Sequence, residues 1–357
     1  MIKNELIYLT ALRGFASIWV GVHHAFFSLD SLNIEHLGPF SMFIMKGWLG
    51  VDLFFILSGF ILAYSYHEKL TDINFLAYKT FLIKRIAKIF PLHVTILLFY
   101  GILVLTAHAY GFSFDSEKHS LQNFLSQMLL LHGIGIIEPE GWNLPSWSVS
   151  SEMFAYFFFP IITYAIARNK FSMRYHVVLI IGLLATTVLM GWILNDGKKF
   201  MLDYEYTAIR VLSEFLMGIS LFYIARNLNK NYRYLLTFIA STGLLFVTTL
   251  IANHSFFDFV YLIFFMGIIL SLALIPSKMV RIPVLTRLGQ ISYAFYLIHS
   301  LILIGMNQII RYSIFLQSNP ALIVGAFMLI TIVTAWLLYE LIEKPGIKLI
   351  VNRYNLS

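Results

Sequence analysis

A chain of 357 residues that is 59% hydrophobic and only 12% charged, with a mean hydropathy of +0.79, is too apolar for a water-soluble domain and reads as a polytopic membrane protein. Its net charge of +7 and pI near 9.3 would suggest nucleic acid in a soluble chain, but here loop lysines and arginines account for the excess and nucleic acid is not an expected partner. With no cysteine there is no disulfide, no thiolate metal site and no cysteine acyl-enzyme, so thiol-loading palmitoyl transfer is ruled out; no metal ligand set is assigned in this sequence.

The first apolar segment, Leu6 to Leu29, can cross a hydrocarbon core of about 30 Å. One lysine precedes it and there is no small-residue cleavage pattern, so a retained span is expected and not a signal peptide. Within it, Arg13 and His24 are eleven positions apart. At about 100° per residue they return to within roughly 20° of one helix face, whereas His23 misses that face by about 80°. They stand roughly 16 Å apart along the axis. A snorkelling arginine and a headgroup-level histidine would be the plainest account. A charged side chain buried in a span costs about 2.5 to 3.5 kcal/mol, however, and two such groups on one face point to a protein-lined cavity.

The second span opens Gly47-Trp48-Leu49-Gly50-Val51-Asp52 and continues Leu53-Phe54-Phe55-Ile56-Leu57-Ser58-Gly59-Phe60. Asp52 falls about 8 Å below the outer surface by helical rise, near the depth of His24, and a carboxylate there needs a partner. The glycines are read mainly as packing devices. Before the third span stands Lys84-Arg85-Ile86-Ala87-Lys88-Ile89-Phe90-Pro91, with the proline placed in the first turn of a helix. The basic residues fit either cytoplasmic topology or an anionic, phosphate-bearing substrate, for which Arg85 offers a bidentate donor.

The outer connection carries its own apolar stretch, Phe124 to Ile137, too short to span and read as an interfacial or re-entrant helix. The fourth span opens Trp142-Asn143-Leu144-Pro145-Ser146-Trp147-Ser148-Val149-Ser150-Ser151-Glu152. Its tryptophans suit an interfacial belt, while Glu152 falls in the outer third of the membrane. The ninth span carries Ser292-Tyr293-Ala294-Phe295-Tyr296-Leu297-Ile298-His299, which puts a histidine near mid-membrane, either bonded to a carbonyl in helix packing or lying on a substrate path. Glu340, Glu343, Lys344 and Pro345 close the chain as a surface feature with a helix stop.

Hydropathy marks about ten spans, at 6–29, 47–66, 89–108, 147–167, 176–194, 207–225, 234–253, 256–276, 288–310 and 320–341. Eighteen lysines and arginines fall in one alternate set of connections, at Lys3 and within 69–88, 168–174, 226–233, 278–287 and 344–353; five fall in the other, Lys46, Lys118, Lys198, Lys199 and Arg311. That bias places both termini in the cytoplasm. The fold class is therefore all-α, a bundle of about ten transmembrane helices. No repeat, linker or low-complexity tract divides it, so 1–357 is read as one membrane domain.

Taken together, the Arg13-to-His24 pairing, the 50–60 run, the basic run ending at Pro91, the 147–152 run, Ile291 to His299, and Glu343-Lys344-Pro345 resemble, in order and over nearly the whole chain, the acyltransferase family 3 membrane proteins. The resemblance implies an enzyme of the cell membrane, bacterial cytoplasmic or inner membrane, that takes an acyl group, usually acetyl from cytosolic acetyl-CoA, to a hydroxyl of a sugar or other envelope component. The acyl-CoA is then a co-substrate with no bound cofactor, and the partners are that donor, a carbohydrate acceptor, free or lipid-linked, and membrane lipid. Many relatives append a soluble hydrolase-like domain; none is expected here, nor a relay through one. In this scheme His24 is the general base, its ordinary pKa near 6.5 suiting removal of a hydroxyl proton. Arg13 contacts the donor or a developing oxyanion. Asp52 and Glu152 orient the histidine or hold acceptor hydroxyls, Arg85 binds CoA phosphates, and Trp147, Tyr293 and His299 line the substrate path. The rival reading is a transporter or flippase for a small molecule or lipid-linked sugar, which would use the same intramembrane groups without breaking a bond; no half-chain symmetry or paired broken helices favour it.

Overall fold

The computed structural model describes residues 6–29, 39–71, 74–111, 117–135, 141–197, 206–250, 257–276 and 283–355. Every regular element among them is helical. Backbone groups in lipid must bond within their own segment, and helices do this. In chain order the elements are α1 (Ile7–Ser28), α2 (Pro39–Met45), α3 (Gly50–Tyr66), α4 (Phe75–Ala109), α5 (Leu121–Met128), α6 (Ser146–Asn169), α7 (Met173–Leu194), α8 (Thr207–Asn227), α9 (Arg233–Leu250), α10 (Phe259–Leu274), α11 (Pro283–Arg311), α12 (Ile314–Gln317), α13 (Pro320–Leu338) and α14 (Lys344–Arg353).

Each of the ten predicted segments coincides with a helix, although 251–253 and 256 lie outside the described residues. Among the described residues, seven helical stretches are long and apolar enough to cross a membrane: Gly47–Tyr66, Phe75–Ala109, Ser146–Asn169, Met173–Leu194, Thr207–Asn227, Pro283–Arg311 and Pro320–Arg353.

Three features differ from the sequence reading. The third span was expected to start at Ile89 with Pro91 in its first turn, but α4 begins at Phe75, capped by the Asn74 side chain accepting from the Ala77 amide at 2.8 Å. The basic run is thus helical and Pro91 is interior. Pro91 lacks an N–H to give the preceding turn, a loss membrane helices tolerate. The closing motif was expected to stop the last helix at the surface. Instead α13 runs through a π-helical turn at Tyr339–Glu343 into α14, and Glu343 is fully buried. One wide turn absorbs Pro345 without ending the helix, because proline is tolerated where a first-turn N–H would be idle. In the outer connection, the stretch read from Phe124 to Ile137 is helical only in α5; Leu130 then turns at φ +56, followed by a 3₁₀ turn at His132–Ile134. Residues 136 and 137 lie outside the described set.

The chain forms two compact units. The first comprises Met1–His23, Ile34–Ile73 and Ile161–Ser292. Its centre is the crossing of α3 and α8, where a Cβ on Gly59 would stand 2.1 Å from the Phe215 carbonyl oxygen and one on Gly218 would stand 2.0 Å from that of Ile56. Only glycine permits backbones so close, and in lipid such packing replaces the hydrophobic drive between helices. The second unit comprises His24–Asn33, Asn74–Pro160 and Tyr293–Ser357. Here Ala25 and Leu29 at the end of α1 pack with Leu303 and Ile310 of α11 and Ile323 and Phe327 of α13. That apolar cluster fixes the position of His24, one residue from Ala25.

Candidate active site

On α11, Tyr293, Tyr296 and His299 recur every third residue and so share a helix face, with Ser300 beside them. In the second unit this face meets His24. The Nδ1 of His24 lies 2.8 Å from Nε2 of His299, the ring planes 6° apart. His299 Nδ1 donates to the Tyr296 carbonyl at 2.6 Å, and His299 is fully buried. Two further bonds fix α11 in register: Tyr296 and Ser148 hydroxyls 2.8 Å apart, and Tyr100 and Ser300 hydroxyls 2.5 Å apart. Trp147, in the first turn of α6 beside Ser148, is partly buried. His23 instead has its Nδ1 3.0 Å from the Ile44 carbonyl in the first unit. Arg13, half-buried, stands next to Gly14, where α1 passes within backbone contact of Gly289 on α11; no carboxylate pairs with it among the described residues.

A second constellation in the same unit joins residues expected to act apart. The Arg85 guanidinium lies over the rings of Phe81 (5.8 Å) and Tyr156 (6.0 Å), and the Tyr156 hydroxyl donates to Glu152 Oε1 at 2.6 Å. Tyr293 donates to the Ile89 carbonyl at 2.9 Å and lies within electrostatic reach of Glu343, Glu152 and Tyr156. Lys88 forms an ion pair with buried Glu343 and lies 5.8 Å from the Tyr293 ring centre. Arg85 and Glu152 thus share Tyr156, which does not fit a division of the two between opposite membrane surfaces. The amino-terminal half of α4, missed in the sequence, is what sets Phe81 and Arg85 against Tyr156 of α6.

In the first unit Asp52 is fully buried and held by Arg210, whose Nε donates to Oδ1 and Nη2 to Oδ2, each at 2.6 Å. Arg210 also faces Trp48 at 5.4 Å and Glu214 at 3.5 Å, one helical turn on. Both Glu214 oxygens lack hydrogen bonds among the described residues. Nearby, Lys46 donates to Asp258 at 2.6 Å, both buried. The sequence reading missed Arg210 and Glu214, although two charges four residues apart inside the span 207–225 were a visible signal. It also counted Lys46 as a loop lysine.

Buried polar groups tie α4 to the connection that precedes α6: His93 Nε2 donates to the Gln127 carbonyl (2.8 Å), Gln127 Oε1 accepts from the Asn143 amide (3.0 Å), and His132 Nε2 lies 2.9 Å from Ser146 Oγ. Burial, with His93 nearby, pushes the His132 imidazole down to about 3. Among the described residues no cluster of three or more His, Asp or Glu could hold a metal ion.

The model of the acyltransferase-domain family, acyltransferase 3, matches residues 6–340. Acyltransferase MdmB of Streptomyces mycarofaciens is 26% identical, over 97% of this chain and 92% of its own. A protein of Acidianus two-tailed virus, ORF330, assigned by name as an acetyltransferase, is 28% identical over 84% of each chain. No solved structure matches.

Proposed function

The chain belongs to the acyltransferase 3 family, and from that premise we propose that it is an integral membrane O-acyltransferase moving an acetyl group from cytosolic acetyl-CoA to a sugar hydroxyl of a cell-surface or exported polysaccharide. The observation that carries the reading is His24: a part-buried imidazole, bonded to a second buried imidazole, on the helix that also carries Arg13, which pairs with no carboxylate among the described residues. About ten spans, with both termini cytoplasmic, are the arrangement that goes with it.

His24 is the general base. As the acceptor oxygen bonds to the acyl carbon, the hydroxyl proton passes to His24; the carbon–sulfur bond breaks, and the proton finally reaches the CoA thiolate. Arg13 faces the developing oxyanion or the donor. Arg85 and Lys88 bring positive charge to CoA phosphates. Trp147, Glu152 and Tyr293 line the way to the histidine pair. Asp52, bound in a buried ion pair, contributes through the packing of α3 and α8.

Incubating the purified protein with labelled acetyl-CoA and a panel of glycans tests the reading. Label should appear on a glycan in step with release of CoA. No transfer to any glycan, with labelled glycan crossing sealed liposomes instead, would establish transport.

A further inference from the structure

The protons of the histidine pair can be placed by elimination. A carbonyl oxygen only accepts, so the 2.6 Å contact with Tyr296 requires a proton on His299 Nδ1. A neutral imidazole carries a single N–H, which makes Nε2 of His299 an acceptor. A doubly protonated His299 would be a fully buried cation with a carbonyl and an imidazole as its hydrogen-bond partners and no carboxylate among them, an arrangement the cost of burying charge opposes. The 2.8 Å contact then requires His24 to donate from Nδ1, and the near-coplanar rings aim that N–H along the in-plane lone pair of His299.

We propose that His299 is a positioning residue that locks His24 in the tautomer whose Nε2 carries the lone pair, so that Nε2 is the nitrogen that takes the acceptor's proton. This deepens the acyl-transfer reading and rests on His24 being its base. When Nε2 takes up a proton, the Nδ1–H bond to His299 becomes charge-assisted and stronger, so the same contact that orients the base stabilises the cation it becomes. The direction of the chain from His24 to His299 to the Tyr296 carbonyl is set at its far end by the backbone, which cannot reverse. Tyr296 to Ser148 and Tyr100 to Ser300 hold α11 against rotation that would break it.

Nitrogen-15 NMR of the full chain, labelled at histidine, reads the tautomer without a substrate, with His24 assigned by the signals lost in His24→Asn. At neutral pH the wild type should show a protonated Nδ1 and an unprotonated Nε2 at His24. His299→Leu should release that preference and lower kcat about 100-fold, the contribution of a well-placed base, with little change in either KM. His299→Gln offers an amide oxygen to the same N–H and should keep both the tautomer and most of the rate. A proton on His24 Nε2 in the wild type, or an unchanged tautomer and rate in His299→Leu, would overturn the proposal; if that variant does not fold, the wild-type spectrum decides. The expected tautomer together with full transfer by His24→Ala would leave the tautomer assignment standing and remove the assignment of His24 as base.

Discussion

Adjacent helical positions point about 100° apart, and that angle separates His23 from His24. His23 turns toward the Ile44 carbonyl and packs where a Cβ on Gly47 would stand 2.6 Å from its own, so it ties the short α2 region to α1. His24 turns to a second titratable ring. His24→Ala should therefore reduce acyl transfer to background while leaving folding intact, and His23→Ala should retain most of the rate with some loss of thermal stability. Rates and melting temperatures measured side by side decide it, and equal tolerance of activity at both positions would remove His24 from the mechanism. That Arg13 and His24 stand on one continuous helix was legible in the sequence. The partner was not: His299 is 275 positions away, and periodicity within one helix carries no information on which helix will face it. The three-residue recurrence of Tyr293, Tyr296 and His299 was a visible mark of the polar face of α11 that the sequence reading passed over.

At the level of elements, what hydropathy could not see is where a helix continues past the membrane's apolar signal. The window for the third span ends at the basic run, yet lysine and arginine are good helix formers and Asn74 supplies a cap, so α4 starts fourteen residues before Ile89. The crossing of α3 with α8 shows the opposite case. Glycine in the second span was rightly read as packing, but the charges that α8 brings to Asp52 were passed over. Those charges permit an ordering. Arg210→Met leaves two buried carboxylates without their cation and should be the most damaging, in the range of about 3 to 5 kcal/mol for breaking a buried pair from one side. Asp52→Asn should cost less, because Glu214 remains to face Arg210. Glu214→Gln removes the surplus negative charge and should be close to neutral. Thermal unfolding in detergent gives the ranking, and a Glu214→Gln variant as unstable as Arg210→Met would show that Glu214 is an essential ion-pair partner. The turn at His132–Ile134 supports a prediction of a different kind. Below the ordinary histidine value of 6.5 the unfolded chain takes up a proton at His132 that the native protein refuses until about pH 3. Native stability at this residue is therefore lost as pH falls through that window, by up to about 1.4 kcal/mol per pH unit. His132→Gln should flatten the fall in melting temperature between pH 7 and pH 5. An undiminished slope would place the acid sensitivity elsewhere.

For the molecule as a whole, the expected orientation rests on eighteen basic residues in one set of connections against five in the other. Lys46, one of the five, is no loop residue: it is buried on Asp258 and so carries no topological weight. Lys198 and Lys199 lie outside the described residues. The bias therefore predicts that the connection between α4 and α6 faces outward and the one between α3 and α4 faces the cytoplasm. Because the chain contains no cysteine, single cysteines can test this in an otherwise silent background. Glu117 and Thr71 are exposed, one in each connection, and neither caps a helix. In intact cells Glu117→Cys should react with an impermeant thiol reagent, while Thr71→Cys should react only after the membrane is opened. The reverse pattern would place Arg85 and Lys88 on the far side from the proposed cytosolic donor, which would then have to reach the histidine pair from the opposite surface.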